Sequence, residues 1–254
     1  MMKFLKIFTL LPLLCLFISM SGQNQYDSQG KKTGYWVVKY PNGRILYESE
    51  FIGGEPVGLM KRYYENGSLS AEMMFDTVTD RCYARLYHQN KKLAAEGWYL
   101  EQKKDSVWTY YSEYDRYIII REPYQDGSLD GTAESYFPNG QVAEQTAWEA
   151  NKKNGEWLLF FDNGNVRTRG SYLNGSREGA FRTYYTEGNI ELSGNYVNDV
   201  ADGEWTLFNE DGSVHFVFKY QSGKLLNESD LLETDDDVLR KLQDLSEPDE
   251  IIEY

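Results

Sequence analysis

The segment Gly155–Glu178, GEWLLFFDNGNVRTRGSYLNGSRE, runs directly into Gly179–Asp202, GAFRTYYTEGNIELSGNYVNDVAD. Each is a glycine, an aromatic-rich run, a turn, a second apolar run and a turn back. Upstream and downstream the same order recurs, with unit starts at Gly34, Gly58, Arg81, Asp105, Gly131, Gly155, Gly179 and Gly203, so that spacings are 24, 23, 24, 26, 24, 24 and 24. Self-similarity at a fixed period marks a repeat architecture.

Other columns keep this register. Six residues after the start stand Tyr40, Tyr64, Tyr87, Tyr111, Phe137, Phe161 and Tyr185, and nine after it Gly43, Gly67, Asn90, Gly140, Gly164, Gly188 and Gly212. Asparagine tolerates the left-handed conformation better than other non-glycine residues, so Asn90 reads as a substitute for glycine. The fourth unit puts Tyr114 there and is expected to turn differently. Seventeen after the start come Phe51, Phe75, Trp98, Trp148, Tyr172, Tyr196 and Tyr220, with Tyr124 displaced by a two-residue insertion in the fourth unit.

The columns dictate local structure. Pro41-Asn42-Gly43, Glu65-Asn66-Gly67, Pro138-Asn139-Gly140, Asp162-Asn163-Gly164 and Glu210-Asp211-Gly212 are Asn-Gly or Asp-Gly turns between runs rich in β-branched and aromatic residues, a strong hairpin signal. Asn174-Gly175, Asp126-Gly127 and Gly53-Gly54 mark the second junction. The repeat turns are assigned to Gly34, Gly43, Gly58, Gly67, Gly131, Gly140, Gly155, Gly164, Gly179, Gly188, Gly203 and Gly212. No room remains for a crossover helix, which excludes a parallel sheet. The expectation is an all-β fold: an elongated single-layer antiparallel meander of about eight β-hairpins and roughly sixteen strands, spanning roughly 75 Å at about 4.8 Å per strand. A propeller would need to pair hairpins into blades, and odd and even units do not alternate. The pattern therefore favours an open ribbon over a propeller or closed barrel.

Side chains alternate across a strand, which puts Trp36, Trp157, Phe181 and Trp205 on one face with the position-six aromatics. The opposite face receives Tyr63, Leu86, Tyr110, Tyr136, Phe160, Tyr184 and Phe208. Two readings stand: twist gathers one column into a thin core while tyrosines of the other lie on the surface, or the second column is a strip for a partner. The candidate partner contacts are Tyr63, Trp98, Trp108, Tyr110, Tyr136, Phe160 and Tyr184.

Units that read G-x-W-x-x-Y/F-x-x-N-G followed by Y-x-N-G-x-x-x-G resemble the bacterial variant of the MORN repeat, as found in toxin–antitoxin system YwqK family antitoxins. The resemblance runs from Gly34 to about Lys224 and weakens in the third and fourth units, where Arg81 and Asp105 replace the leading glycine. It implies a β-hairpin ribbon with a binding role, and it carries no catalytic residue.

Residues 1–22 place Lys3 and Lys6 before an apolar run that closes on Ser19, Ser21 and Gly22, the layout of a secretory signal peptide. The alternative is a retained anchor, against which the run is short and holds Pro12. Residues 23–33 form a short leader, 34–227 the repeat domain and 228–254 an acidic tail. Removal of the signal peptide makes Cys82 the lone cysteine, so no internal disulfide forms and stability rests on burial and sheet hydrogen bonds. The expected location is periplasmic, cell-envelope or extracellular.

The tail holds eleven acidic and two basic side chains, out of an overall net charge of −14. Within it Thr234 reads as the N-cap of a helix that opens on Asp235-Asp236-Asp237, with Val238, Leu239, Leu242 and Leu245 on one apolar face. A cap over the last strand and a partner-docking arm are both compatible with it.

Chemistry finds little to work with. His88 and His215 lie in different units at unrelated positions, and no phosphate-cradling glycine motif is present. Net acidity speaks against nucleic acid and anionic lipid as partners. The expectation is a non-enzymatic protein without cofactor or metal. A protein-interaction scaffold, of which an antitoxin or immunity-type binder is one form, is the first reading, and glycan or envelope-polymer binding by the aromatic columns is the alternative. The irregular stretch from Arg81 to Tyr124 is the most individual part of the surface and a candidate partner site.

Overall fold

Alternating apolar runs joined by tight turns build a ladder in which each strand pairs with the next. The computed structural model describes residues 22–229 and 238–240. It is one open antiparallel meander of 20 strands, from Gln25–Tyr26 to Lys224–Leu225. Sixteen are the long strands of eight hairpins, counting Ser128–Leu129 with Gly131–Tyr136 and Ser176–Arg177 with Gly179–Tyr184 as one interrupted strand each. The other two, Gln25–Tyr26 and Lys224–Leu225, are short end pieces.

Two turn types alternate, and Asn-Gly occurs in both. Within a unit, Gly43 N–H donates to Tyr40 O and Tyr40 N–H to Arg44 O, at 2.9 and 2.8 Å. This is a type I turn closed by a left-handed residue with its bulge. Pro41 and Pro138 suit it because proline holds φ negative, which the mirror-image turns forbid at that position. The Asn42, Asn66, Asn139 and Asn163 carboxamide oxygens, and the Asp211 carboxylate, accept the N–H two residues on, at 2.9 Å. Between units the turn has two residues, both with positive φ, the type I′ geometry that matches strand twist. It is made by Gly53-Gly54, Glu101-Gln102, Asp126-Gly127, Ala150-Asn151, Asn174-Gly175, Asn198-Asp199 and Ser222-Gly223.

All twelve glycines assigned to repeat turns have positive φ. Those that open a unit sit in a bulge: between Glu48↔Lys61 and Glu50↔Val57, one residue faces three around Gly58. Ser106, at φ 58, occupies the same bulge, between Glu96↔Thr109 and Trp98↔Asp105.

This geometry corrects the middle units. The fourth starts at Ser106, not Asp105. The third starts at Cys82, not Arg81, because His88 and Lys91 make the turn bonds of Tyr40 and Gly43. Lys91, at φ 69, is the left-handed residue, and Asn90 plays the part of Asn42, accepting from Lys92 N–H at 3.0 Å. Spacings between unit starts become 24, 24, 24, 25, 24, 24 and 24, and the fourth-unit insertion shrinks to one residue in the turn between Tyr111 and Ile118. The third unit departs in a different way: Phe75 pairs with Cys82 and Ala71 with Leu86 in unbroken register, so its opening bulge is missing.

One face carries the core, a column of Trp36, Trp108, Trp157, Phe181 and Trp205 with Phe51, Tyr99, Tyr172, Tyr196 and Phe218 beside it. Glycine on a neighbouring strand makes room for these rings. Trp108 lies over Gly97, Trp205 over Gly194, and Trp157 with Phe181 over Gly170. A cation caps several of these aromatic groups, as when the Lys32 ammonium sits 4.9 Å from the Trp36 and Phe51 rings. Lys104 lies 4.6 Å from Tyr124, Lys153 4.7 Å from Tyr172 and Arg177 4.2 Å from Tyr196. Burial lowers the Lys104 pKa.

The ends are closed by side-chain amides that imitate a strand. Asn24 both accepts from Val37 N–H and donates to Val37 O, at 2.8 and 3.0 Å. Asn227 does the same at the far edge with Lys219 N–H and Val217 O, at 2.9 and 2.8 Å. Unpaired edges invite further strands, and both amides occupy that position. Residues 238–240 form a helical turn whose Val238 is buried against Trp205, Leu207 and Phe218. Val238 thus covers part of the core face of the last unit, while Leu239 is exposed, contrary to the expected shared face. Residues 1–21, expected to be signal peptide, and Thr234, expected to cap a helix, lie outside the described residues, as do Asp235–Asp237, Leu242 and Leu245.

A candidate interaction surface on units two to four

The core column lapses at Met60 and Ala84 in two consecutive units, and again at the single position Ala133 in the fifth. Neither Met60 nor Ala84 reaches across the sheet as an indole does. A groove of about 930 Å³ opens there, floored by Met60, Met73, Phe75, Cys82 and Tyr99 and rimmed by charged groups such as Arg62 and Asp80. The inter-unit loop Asp76–Asp80 forms one wall; it replaces the two-residue turn used elsewhere, because the third unit lacks its bulge. The Asp76 carboxylate accepts from Thr79 Oγ1 and from Val78 N–H, at 2.7 and 2.8 Å, which keeps its pKa below the usual range. Cys82 lies under the groove with its thiol pKa pushed up to about 11 by burial.

On the opposite face of the same units runs a ladder of phenols and carboxylates. Tyr63, Tyr87 and Tyr111 donate to Glu48, Glu72 and Glu96, at 2.7, 2.9 and 2.7 Å, each pair separated by 15 residues. Tyr35 is a second donor to Glu48 at 2.8 Å. The hydrogen bond from Tyr63, then that from Tyr35, holds the Glu48 pKa below the carboxylate range. Burial first, then the carboxylate partner, pushes Tyr63, Tyr87 and Tyr111 up to about 12.

Beside the ladder lies a stripe of facing apolar pairs: Leu59↔Met74, Tyr83↔Trp98 and Val107↔Pro123. In units five to eight the same positions hold Thr132↔Ala147, Glu156↔Ser171, Ala180↔Asn195 and Glu204↔Lys219. The stripe is therefore confined to units two to four.

The sequence-predicted contacts divide between the two faces. Tyr63, Tyr136, Phe160 and Tyr184 line the ladder face, and Trp98 joins them, packed 5.0 Å from Tyr83 with the Arg81 guanidinium 5.2 Å from its ring. Trp98 does not belong to the third aromatic column, which takes Tyr99 instead. Trp108 is fully buried in the core beneath Lys104, and Tyr110 is half-buried on that same face, hydrogen-bonded by the Lys104 ammonium. Both follow from the one-residue shift of the fourth unit, which hands the exposed column to Tyr111 and, in the third, to Tyr87. Met60, Met73 and Phe75 were missed as groove residues, although the lapse of tryptophan at Met60 and Ala84 was a readable signal.

No curated protein matches the chain. Residues 56–76, 129–148, 153–174 and 177–198 match the family described as MORN repeat variant. The matched stretches are the second, fifth, sixth and seventh units, and the irregular third and fourth fall outside them. In these four hairpins the chain is similar to the MORN repeat variant family.

Proposed function

We propose that the chain is an exported, non-catalytic scaffold that binds another protein through the groove of units two and three. The observation that carries this reading is the interruption of the tryptophan column at Met60 and Ala84, which leaves an apolar floor open to solvent between charged walls. Buried apolar anchors surrounded by a polar rim are where protein interfaces concentrate their affinity. Methionines adapt to varied partner surfaces. Export rests on the layout of residues 1–22. Antitoxin or immunity-type action is the special case in which the bound protein is a toxin.

The test is capture by the full chain from envelope and secreted fractions, compared with Met60→Trp, which places an indole where units one, four, six and eight carry one. A stoichiometric protein partner held by the wild type and lost from Met60→Trp supports the reading. Equal capture by both removes the groove from it. Retention on peptidoglycan or polysaccharide that is lost on Trp98→Ala, without a protein partner, moves the function to glycan binding through the other face.

A further inference from the structure

From the ladder face of units one to four we infer that the chain forms a two-fold dimer, the apolar stripe of one copy lying on that of a second. The inference concerns the face opposite the groove and stands independently of what the groove binds. Leu59, Met74, Trp98 and Val107 are 43%, 51%, 37% and 50% exposed. These large apolar side chains gather in three consecutive units and are replaced by small or polar ones further along.

Charge selects the occupant. Residues 34–124 hold thirteen acidic and twelve basic side chains, whereas residues 125–254 hold twenty-six and ten. An external partner chosen by charge would be drawn to the acidic part, and the stripe lies in the near-neutral part. The row beside the stripe alternates in sign along the ribbon: Glu48, Lys61, Glu72, Arg85, Glu96, through the pairs Glu48↔Lys61, Glu72↔Arg85 and Arg85↔Glu96. An alternating row is complementary to its own reverse.

A closed two-fold contact needs such a self-complementary patch. Consider an axis in the interface, parallel to the strands, between Leu69–Phe75 and Arg81–Tyr87. It sets Met74 opposite Tyr83 and Leu59 opposite Trp98 of the second copy, so apolar meets apolar at the centre, while Val107 and Pro123 meet Glu50 and Tyr35 of the first unit at the ends. In the charged row it sets Glu72 opposite Arg85 and Lys61 opposite Glu96. In the outer row Tyr63 meets Ala94 and Tyr87 meets Ser70, large against small. The acidic units and tails of the two copies point away from each other, which keeps their repulsion low. Eight strands at about 4.8 Å, each of eight residues at about 3.4 Å, give a face of roughly 1,000 Å², above the roughly 800 Å² per partner of a stable interface. Both grooves then face outward, making the assembly bivalent.

The experiment is sedimentation equilibrium of the full chain over a range of concentrations, with thermal melts to confirm folding. Wild type is expected as a dimer, and Trp98→Glu and Leu59→Arg each as monomers. Mixing these two variants should recover a dimer, because one Leu59–Trp98 contact becomes an Arg–Glu pair while the other stays native. Should Trp98→Glu fail to fold, Leu59→Glu mixed with Trp98→Arg replaces the pair. A wild type monomeric at the highest concentration overturns the proposal. So does a dimer that survives Trp98→Glu, or two monomeric variants that do not recombine. A monomer that still captures its partner through the groove leaves the binding function standing.

Discussion

Trp205 lies so close over Gly194 that a Cβ on that glycine would come within 2.0 Å of the indole Cδ2. Gly194 has no positive φ and is needed for space alone. Gly194→Ala therefore forces the Trp205 ring out of a fully buried site, an overpacking cost of about 1–3 kcal/mol or more. Gly170, whose added Cβ would meet Trp157 and Phe181 at 3.2 Å, should tolerate alanine better. Thermal denaturation of the two variants should rank them in that order. Equal melting temperatures would show that the indole moves aside freely.

The architecture was legible because glycine and aromatic columns report directly on φ and on strand faces. What escaped were positions where other residues accept the same geometry. Glu101-Gln102 and Ala150-Asn151 adopt the type I′ turn with no glycine, since strand twist imposes it from outside. Ser106 occupies the left-handed bulge where glycine was sought one residue earlier, and Lys91 displaces Asn90 in the same way. A one-residue slip exchanges the faces of a strand, so it moved Trp108 and Tyr110 from surface to core and exchanged Trp98 for Tyr99. The groove depends on Met60, Met73 and Ala84 facing one another across three strands with no indole among them, which shows only once the register is known.

His88 occupies the place from which Tyr40, Tyr64 and Tyr185 donate to the carbonyl of the next hairpin, at 2.8, 2.6 and 2.7 Å. Its Nε2 is buried without a hydrogen-bond partner. His88→Tyr should place a hydroxyl within reach of Tyr111 O and stabilise the chain by about 1 kcal/mol. A raised denaturation midpoint with unchanged slope would bear this out, and a lowered midpoint would reject it.

The phenol ladder sets opposite pH limits. Glu48, with its pKa depressed by Tyr63 and Tyr35, adds stability that is present above its unfolded pKa and lost as pH falls through the lower folded value. Tyr63, Tyr87 and Tyr111, raised to about 12, add stability that is full below the unfolded value of about 10 and lost as pH rises toward 12. Phenolate absorbance should therefore appear in two phases, the later one shared by these residues. Tyr63→Phe should shrink the late phase and raise the Glu48 pKa. A single phase near the ordinary tyrosine value would contradict the ladder.

Val238 fills a place that a cation occupies elsewhere. The position of Lys32, Lys104, Lys153 and Arg177 in their units is taken in the eighth by Ala201, too short to reach the rings, and Val238 packs there against Trp205 with Phe216 and Tyr220 alongside. Val238→Asp buries an unpaired carboxylate against these aromatics and should release the cap. Repeat stability is a sum of units and their nearest-neighbour interfaces, so the damage should stay local. Hydrogen exchange should accelerate in Val200–Phe208 and Val214–Gln221, with Lys32–Lys39 unchanged. Ala201→Lys in the same background should restore protection by returning the capping ammonium to the ring group. Uniform acceleration along the ribbon would mean that the tail stabilises the sheet as one cooperative body.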